Sequence, residues 1–302
     1  MTDDKSPTRL VGYAPAKLNL FFEIHGKRSD GYHDVCSLCC PVNLYDTLIF
    51  ELQKSPDVTL TCETGHLRND SSEIPTGADN LVVQAVQLIQ NRYDISSGCK
   101  IRLIKRIPSQ AGMGGASSDA ATAIRLASQL WNLQLTPRTM MELGAELGSD
   151  VPLFFISGMS IGYGRGEQVK PVGLTPRLDF VIVKPPEGIS TAAVFRVCCA
   201  DHITDRRFPE CLLQGLQSGN LREITAGIFN RLETTTQKLC PRIGQMSRLF
   251  DTLGCSVRQM TGSGTAYFAL CHHATQARFL AAQLRIFGIG DVFVAHSVTL
   301  AN

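Results

Sequence analysis

A glycine-rich loop near the middle of the chain constrains the fold more than any other feature. The loop follows a β-forming stretch at 101–104 and precedes an alanine-rich segment at 119–131. Gly112, Gly114 and Gly115 allow the backbone to approach a ligand closely and to turn several N–H groups toward one point. The start of the following helix would add positive potential. This order predicts an anion site, although serines at a helix start equally serve as caps.

The loop differs from two common nucleotide-binding loops. A Walker loop needs a lysine directly before Ser or Thr, and no acidic residue here closes a strand-helix-strand unit as in a dinucleotide fingerprint. A second glycine loop, Thr261-Gly262-Ser263-Gly264-Thr265, lies between two predicted strands near the C-terminus. By itself it is typical of a hairpin, but it could also approach the same phosphates.

Composition limits the partners that we expect. The 302 residues carry 29 basic and 27 acidic side chains, a net charge of +2, with no basic block that would follow a phosphate backbone, so no nucleic acid is expected. The polar first ten residues do not resemble a signal peptide and no run of 18 apolar residues follows, so no membrane partner is expected. The 11 scattered cysteines favour a reducing compartment, and we expect a cytoplasmic protein.

Periodicity predicts a chain of strands and helices that begins as sheet. The predicted strands are 11–24, 46–52, 58–62, 101–104, 180–184, 257–260, 266–270 and 292–295. The predicted helices are 80–92, 119–131 and 137–147, with Asp79 as the cap of the first and Gly148 at the end of the third. The segment after Pro186 is predicted to be mainly helical, and 68–79 to be a surface loop.

Three motifs, in order along the chain, resemble those of the GHMP kinases. Residues 108–118 are similar to their phosphate-binding motif, Tyr13-Ala-Pro-Ala-Lys17-Leu-Asn19-Leu to their first motif, and Met260-Thr-Gly-Ser-Gly-Thr265 to their third. The resemblance spans nearly the whole chain. It implies a two-lobe α+β fold, with a lobe like ribosomal protein S5 domain 2 at 1–170, a ferredoxin-like lobe at 171–302, and the site between them.

Two further motifs resemble one branch of that superfamily. Asp30-Gly31-Tyr32-His33 and Gly148-Ser149-Asp150-Val151-Pro152 are similar to motifs of the kinases that act on 4-diphosphocytidyl-2-C-methyl-D-erythritol in the non-mevalonate isoprenoid pathway. The resemblance implies an enzyme that uses ATP and Mg²⁺ to phosphorylate the 2-hydroxyl of the erythritol portion. The expected partner is a small molecule with a cytidine diphosphate group, and the expected assembly is a monomer or weak homodimer.

The same resemblance implies the residues of the site. Lys17 and Asp150 match the catalytic pair, in which Asp150 would accept the hydroxyl proton and Lys17 would offer positive charge to the transferred phosphate. The substrate-binding residues would be Asn19, Tyr32, His33, Thr191 and Phe195. ATP would bind to Pro108, Ser109, Gln110, Ala111, Gly112, Met113, Gly114, Gly115, Ala116, Ser117 and Ser118. No metal ligand is assigned, because helix capping alone explains Ser117 and Ser118.

From the residues alone, a purely structural role is open at each of these positions. Lys17 could be a solvated lysine at a strand end, and Asp150 a turn residue before Pro152. Tyr32 and His33 could form an exposed turn, and Phe195 could be a core aromatic residue on a helix.

Two other functions also stay open. Another GHMP kinase, acting on homoserine or a sugar, would make Asp30-Gly31-Tyr32-His33 a turn without a ligand. A ligand sensor that has lost turnover would need no catalytic base such as Asp150. A zinc site is not expected, because Cys36-Ser-Leu-Cys39-Cys40 alternates like a strand and His272-His273 lacks further ligands at metal spacing.

Overall fold

A computed structural model describes residues 8–65, 74–198 and 208–299. The strands are β1 (Arg9–Lys27), β2 (His33–Gln53), β3 (Val58–Thr64), β4 (Gly98–Lys105), β5 (Ser160–Gly164), β6 (Gln168–Pro171), β7 (Asp179–Lys184), β8 (Phe229–Asn230), β9 (Arg258–Met260), β10 (Tyr267–Cys271) and β11 (Asp291–His296). The helices are α1 (Leu81–Arg92), α2 (Gly115–Leu130), α3 (Pro137–Leu147), α4 (Thr191–Cys198), α5 (Glu210–Ser218), α6 (Leu221–Gly227), α7 (Glu233–Leu239), α8 (Pro241–Thr252) and α9 (Ala274–Ile286). A short 3₁₀ helix spans Pro152–Phe155.

The larger sheet is built around the long antiparallel pair of β1 and β2. Its strand order is β3-β4-β2-β1-β8, and β5 pairs with β2 and with β6 away from that path. The second half of β2 pairs with β4, whereas its first half pairs with β5. The register of β1 against β2 shifts after Pro15, which cannot donate a ladder hydrogen bond. The residues after this shift, including Lys17 and Asn19, alternate with the apolar residues of the strand.

The smaller sheet has four antiparallel strands in the order β11-β7-β10-β9. Along the chain, helices separate β7 from β9, a short loop joins β9 to β10, and α9 joins β10 to β11. This is the β-α-β-β-α-β arrangement of the ferredoxin-like fold, which confirms the expected architecture of the C-terminal lobe.

Three clusters of buried apolar side chains hold these layers together. The first lies between the larger sheet and α1, α2 and α3. The second joins the other face of β1 and β2, with Leu18 and Leu38, to Phe180 and Phe268 of the smaller sheet. The third lies between the smaller sheet and α8 and α9, and contains Phe250. Alternate residues of β7 therefore serve two cores, because successive side chains of a strand point to opposite faces.

The α+β class and the predicted strands and helices are confirmed, with corrections at their ends. Asn80, rather than Asp79, caps α1, because its side chain accepts a hydrogen bond from the N–H of Val82 at 2.9 Å. The helix predicted to begin at 119 begins at Gly115, inside the glycine loop. Gly148 follows α3 as predicted but has an extended backbone, with φ 176°.

Parts of two predicted segments lie outside the described residues. These are 66–73 of the predicted surface loop and 199–207 of the helical region. In the described part of the chain, no helix combines the length and apolar character required to cross a membrane.

Candidate active site

A cavity of about 1040 Å³ opens where the larger sheet, the glycine loop and the second glycine loop meet. One end is lined by Tyr32, His33, Phe195 and several cationic side chains. The middle contains Lys17, Asn19, Asp150 and Gly262, and the other end contains Asn80, Leu81, Leu103 and Lys105. The cavity thus connects an aromatic end to the start of the helix after the glycine loop.

Lys17 is a buried lysine at the middle of the cavity, with 4% of its surface exposed. Its ammonium donates to the carbonyl oxygen of Gly112 at 2.8 Å and to Oδ1 of Asn19. Asp150 Oδ2 lies 3.9 Å from the same nitrogen. The Lys17 N–H also donates to Met113 O at 2.9 Å, so that the strand and the glycine loop are joined at this residue. These bonds hold the positive charge in place on a strand, the kind of support that catalytic preorganisation requires.

Asn19 lies two residues further along the same face of β1 and is 2% exposed. Its Oδ1 accepts from Lys17, and its Nδ2 donates to the hydroxyl of Ser37 on β2 at 2.6 Å. Its backbone N–H donates to Oγ1 of Thr261 at 2.9 Å. The side-chain amide of Asn19 therefore orients Lys17. Thr261, from the C-terminal region, binds the strand that carries both residues.

The glycine loop and the second glycine loop pack directly on each other. The N–H groups of Thr265 and Ala266 donate to the carbonyls of Gln110 and Ala111, each at 3.1 Å. Gly112 has φ +70°, and a Cβ at this position would overlap the carbonyl oxygen of Thr261. The segment 261–265 is therefore both the connection between β9 and β10 and a wall of the cavity, which combines the two roles that its sequence left open.

The helix α2 begins where the glycine loop ends. Gly114, with φ +70°, occupies the N-cap position, and a Cβ there would lie 2.9 Å from the ring of Phe154 and 3.1 Å from the Lys17 side chain. The first N–H groups of a helix have no intrahelical acceptor, and the helix dipole adds positive potential at this end. Gly115, Ala116 and Ser117 line the cavity at this point. The arrangement can bind an anion such as phosphate.

Asp150 lies in the turn between α3 and the 3₁₀ helix. Its side chain is 46% exposed and faces the cavity opposite the glycine loop. The turn is closed by a hydrogen bond from Val151 N to Gly148 O at 3.2 Å. An accessible carboxylate on a fixed turn beside a buried cation can accept a proton from a bound hydroxyl group.

The aromatic end of the cavity is formed by β2 and α4. The rings of His33 and Phe195 lie 5.2 Å apart and are tilted by 31°, while Tyr32 is exposed. Burial, followed by the nearby charge of Lys27, lowers the pKa of His33. Thr191 lies one turn before Phe195 on α4, and its hydroxyl is 2.8 Å from that of Ser263. These side chains offer a flat apolar surface with polar groups at its edge.

A buried charge cluster lies under the start of α2. Lys105 donates to Asp119 at 2.7 Å and to Asp46. Burial raises the pKa of Asp119 to about 7, against the opposing effect of Lys105. Burial by itself would lower the pKa of Lys105, but the two carboxylates outweigh it and the net shift is upward. The cluster ties β4 to β2 and to the first turn of α2.

Nearly all the residues predicted for the site line one cavity. They are Lys17, Asn19, Tyr32, His33, Asp150, Thr191, Phe195 and residues 108–117 of the loop. Ser118 differs, because it is fully buried in α2 and its hydroxyl has no hydrogen-bond partner among the described residues. Phe195 both packs against the third core cluster and lines the cavity, so its two alternative roles coexist.

Sequence reasoning missed Ser37, Lys105 and Arg165, and it named Thr261 only as part of the second glycine loop. Ser37 on β2 and Thr261 on the second glycine loop both act through hydrogen bonds to Asn19, and no local sequence pattern indicates such contacts. Lys105 could have been noticed as a charged residue at the end of an apolar strand directly before the glycine loop. Arg165 could have been noticed between two glycines in Gly164-Arg165-Gly166.

Comparison with known proteins agrees with this geometry. The family described as GHMP kinases N terminal domain matches residues 80–158, and GHMP kinases C terminal matches 212–290. A 4-diphosphocytidyl-2-C-methyl-D-erythritol kinase from Pelotomaculum thermopropionicum is 34% identical over 276 residues, 91% of this chain and 94% of the relative. One from Enterococcus faecalis is 36% identical over 271 residues, 89% and 92% of the two chains. A crystal structure of a 4-(cytidine 5'-diphospho)-2C-methyl-D-erythritol kinase superposes with a TM-score of 0.80 at 29% identity, covering 96% of this chain and 99% of the other.

The fold, the two matched regions and the glycine loop at the cavity define an ATP-dependent kinase of the GHMP class. Within that class, the chain belongs to the family of 4-diphosphocytidyl-2-C-methyl-D-erythritol kinases. The resemblance inferred from the motifs is thereby confirmed.

Proposed function

We propose that this protein transfers the γ-phosphate of ATP to the 2-hydroxyl of 4-diphosphocytidyl-2-C-methyl-D-erythritol in the non-mevalonate pathway, giving the 2-phosphate and ADP. The observation that supports this most directly is the single cavity that holds the glycine loop, the Lys17 and Asp150 pair, and the aromatic end with Tyr32 and Phe195. A kinase for a smaller acceptor has no evident use for an aromatic end of this size. The names of the relatives support the same substrate.

The proposed roles of the residues follow from their positions. The first-turn N–H groups of α2 and the backbone of the glycine loop bind phosphate oxygens, while Lys17 faces the transferred group. Asp150 orients the acceptor hydroxyl and receives its proton. Asn19 orients Lys17 through its side-chain oxygen, in addition to lining the substrate side of the cavity. At the other end, Tyr32 and Phe195 enclose the cytosine, and His33 and Thr191 offer polar groups at its edge.

Mg²⁺ is part of the proposal as an ion that arrives with ATP. Among the described residues, no group of three or more His, Cys, Asp or Glu side chains could form a cage for a metal ion. Mg²⁺ commonly retains several waters and binds mainly through the phosphates of ATP, so it does not require a cage of protein ligands. When bound, the ion would neutralise charge on the β- and γ-phosphate oxygens.

The proposal also includes a cytoplasmic location and a monomer or weak homodimer. Buried thiols such as Cys36, Cys39 and Cys40 suit a reducing compartment. Burial raises the pKa of Cys39 to about 11, so this thiol stays protonated beside Lys17.

The function is tested by ADP release from Mg·ATP with four acceptors: 4-diphosphocytidyl-2-C-methyl-D-erythritol, homoserine, galactose and mevalonate. We expect turnover with the first acceptor alone. Asp150→Asn should reduce kcat about 10²- to 10⁴-fold, because it removes the proton acceptor, with little change in either KM. The control is Asp94→Asn, an exposed position with φ +51° at which Asn is well tolerated. ATP binding without turnover of any acceptor would instead indicate a ligand sensor.

A further inference from the structure

The tight turn between β5 and β6 presents an arginine to the cavity. Gly164 and Gly166, on either side of Arg165, have φ +69° and +116°, which are left-handed conformations that favour glycine. The carboxylate of Glu167 accepts a hydrogen bond from the N–H of Arg165 at 2.7 Å and closes the turn. The backbone of Arg165 is therefore fixed, and the base of its side chain has a defined direction.

Arg165 lies between the two ends of the cavity. Its guanidinium carbon is 4.9 Å from the centroid of the Tyr32 ring, and the residue lines the cavity. The next residue, Gly166, packs against the turn that carries Asp150, since a Cβ on Gly166 would lie 3.5 Å from Asp150 Oδ1. A ligand that reached from the aromatic end to Asp150 would pass Arg165.

The charges around this position favour an anion. Lys27 and Arg196 line the cavity as well as Arg165. Within the described ranges, the acid found within 4 Å of the Arg165 guanidinium is Glu167, at 3.8 Å from Nε. Asp30 is a second acidic group near Arg165, and it forms an ion pair with Arg28 at 3.0 Å. Arg165, Lys27 and Arg196 therefore add three positive charges to the cavity lining.

We propose that Arg165 is a specificity-determining residue that binds the two phosphates of the substrate's cytidine diphosphate group. This inference rests on the proposed function. It adds a contact to the substrate's phosphates, which the aromatic end of the cavity cannot provide. Arg165 selects a nucleoside diphosphate over the corresponding nucleoside, while Tyr32 and Phe195 bind the base. A guanidinium suits this task because its planar donors form paired hydrogen bonds with phosphate oxygens and its face stacks on an aromatic ring. Stacking on Tyr32 also orders the side chain before the ligand binds.

The test measures binding of cytidine, CMP and CDP to the full-length protein by titration calorimetry. The variants are Arg165→Gln and Arg165→Lys. The control is Lys170→Gln on the same hairpin, which removes an exposed cation that stacks on Tyr163 at 5.5 Å, outside the cavity. We expect Arg165→Gln to weaken CDP binding about 10- to 100-fold, the range for a lost hydrogen bond to a charged group, and cytidine binding less than about 3-fold. Arg165→Lys should be intermediate for CDP, because it keeps the charge and loses the planar donors. Lys170→Gln should match the wild type.

The same variants separate phosphate binding from a structural role of the turn. In steady-state assays, Arg165→Gln should raise KM for the cytidyl substrate by the same factor and leave KM for ATP unchanged. Equal losses for cytidine and CDP would overturn the proposal, because Arg165 would then act only by supporting Tyr32. Unchanged CDP binding in both Arg165 variants would overturn it without affecting the proposed function. A wild type that bound no cytidine ligand would contradict both.

Discussion

At the scale of single residues, the proposed catalytic side chains are held in place by residues that have no proposed catalytic role of their own. Lys17 and Asp150 could be named from the motifs that contain them. The bond from Lys17 to the carbonyl of Gly112 could not be named in this way, because the two residues are 95 positions apart in the chain. Thr261, on the second glycine loop, contacts Asn19 across 242 positions. Such contacts depend on the tertiary path of the chain and leave no periodic pattern in the sequence.

Removal of the Thr261 hydroxyl should therefore lower activity through Lys17. Thr261→Val keeps the shape but leaves the buried N–H of Asn19 without its acceptor. We expect a loss of about 1 to 3 kcal/mol in the free energy of unfolding and a fall in kcat of about tenfold or more. Thr261→Ser should restore both. Denaturant unfolding and ADP-release kinetics measure the two effects.

The control for this change is Thr252→Val on the surface of α8, where the hydroxyl donates only to the helical carbonyl of Arg248 at 3.0 Å. It should leave kcat at the wild-type value. A fully active Thr261→Val would show that this hydroxyl does not position Lys17.

The titration of Asp119 should be visible in the pH dependence of stability. An unfolded aspartate has a pKa of about 3.9, whereas burial raises the pKa of folded Asp119 to about 7. Between these values the folded state binds more protons than the unfolded state, so this group's contribution to the free energy of unfolding falls as pH rises from about 4 to 7. Asp119→Asn keeps an oxygen for Lys105 but does not titrate. Relative to this variant, the wild type should lose stability across that pH range.

Thermal unfolding of both proteins between pH 4.5 and 8 checks this expectation. Asp94→Asn, an exposed change, should keep the wild-type pH profile. Parallel Tm profiles for the wild type and Asp119→Asn would contradict the raised pKa.

At the scale of elements, the glycine loop shows how packing changes a local pattern. The sequence correctly predicted the order of strand, loop and helix, but placed the helix start at 119, four residues after Gly115. Gly115, Ser117 and Ser118 have lower helix propensity than alanine, so propensity gives little support to a helix start there. The first turn of α2 nevertheless forms because it packs against Phe154, Lys17 and Lys105. Local patterns did predict both ends of α3 correctly, because its periodicity indicates the same bounds as Pro137 at its start and Gly148 after its end.

A pair of glycine substitutions separates backbone strain from close packing in this loop. Gly112→Ala and Gly219→Ala both place alanine at a left-handed position, with φ +70° and +75°. At Gly219, after α5, the added methyl meets open space, so we expect a loss of about 1 kcal/mol in the free energy of unfolding and normal kcat. At Gly112 the methyl overlaps the Thr261 carbonyl, which should cost about 1 to 3 kcal/mol more and abolish most activity.

Chemical denaturation and ADP-release assays on the two variants provide the comparison. Equal stability losses and equal kcat values would mean that the contact between the two glycine loops does not hold the site together.

At the scale of the whole molecule, the proposed division at 170/171 does not imply two independent folding units. The short strand β8 pairs in parallel with β1, although it follows the proposed boundary. Next to it, Arg231 forms a bidentate ion pair with the fully buried Glu23 of β1. The Nε and Nη2 atoms of Arg231 lie 2.6 and 2.7 Å from the two carboxylate oxygens. The second core cluster also joins β1 and β2 to the smaller sheet. The C-terminal lobe thus completes the N-terminal one.

A fragment of residues 1–170 should therefore fail to unfold cooperatively. It would remove the cation that pairs with Glu23 and would expose Leu18 and Leu38, which pack against the smaller sheet in the full chain. Calorimetry of the fragment should show no sharp transition, whereas the full chain should show one. Addition of residues 171–302 should recover a transition. A sharp transition for the isolated fragment would contradict this account.

The sequence by itself determined the α+β class, the order of most elements, the family resemblance and the residues of both glycine loops. Strand and helix periodicity and glycine placement are local properties, so they can be recognised without knowing the tertiary contacts of the chain. Only the tertiary structure decided that Asn19 and Thr261 hold Lys17, that Ser118 is buried, and that Arg165 stacks on Tyr32. These facts depend on which strands become neighbours and on how the two sheets pack. That outcome minimises the free energy of the whole chain, and no single segment specifies it.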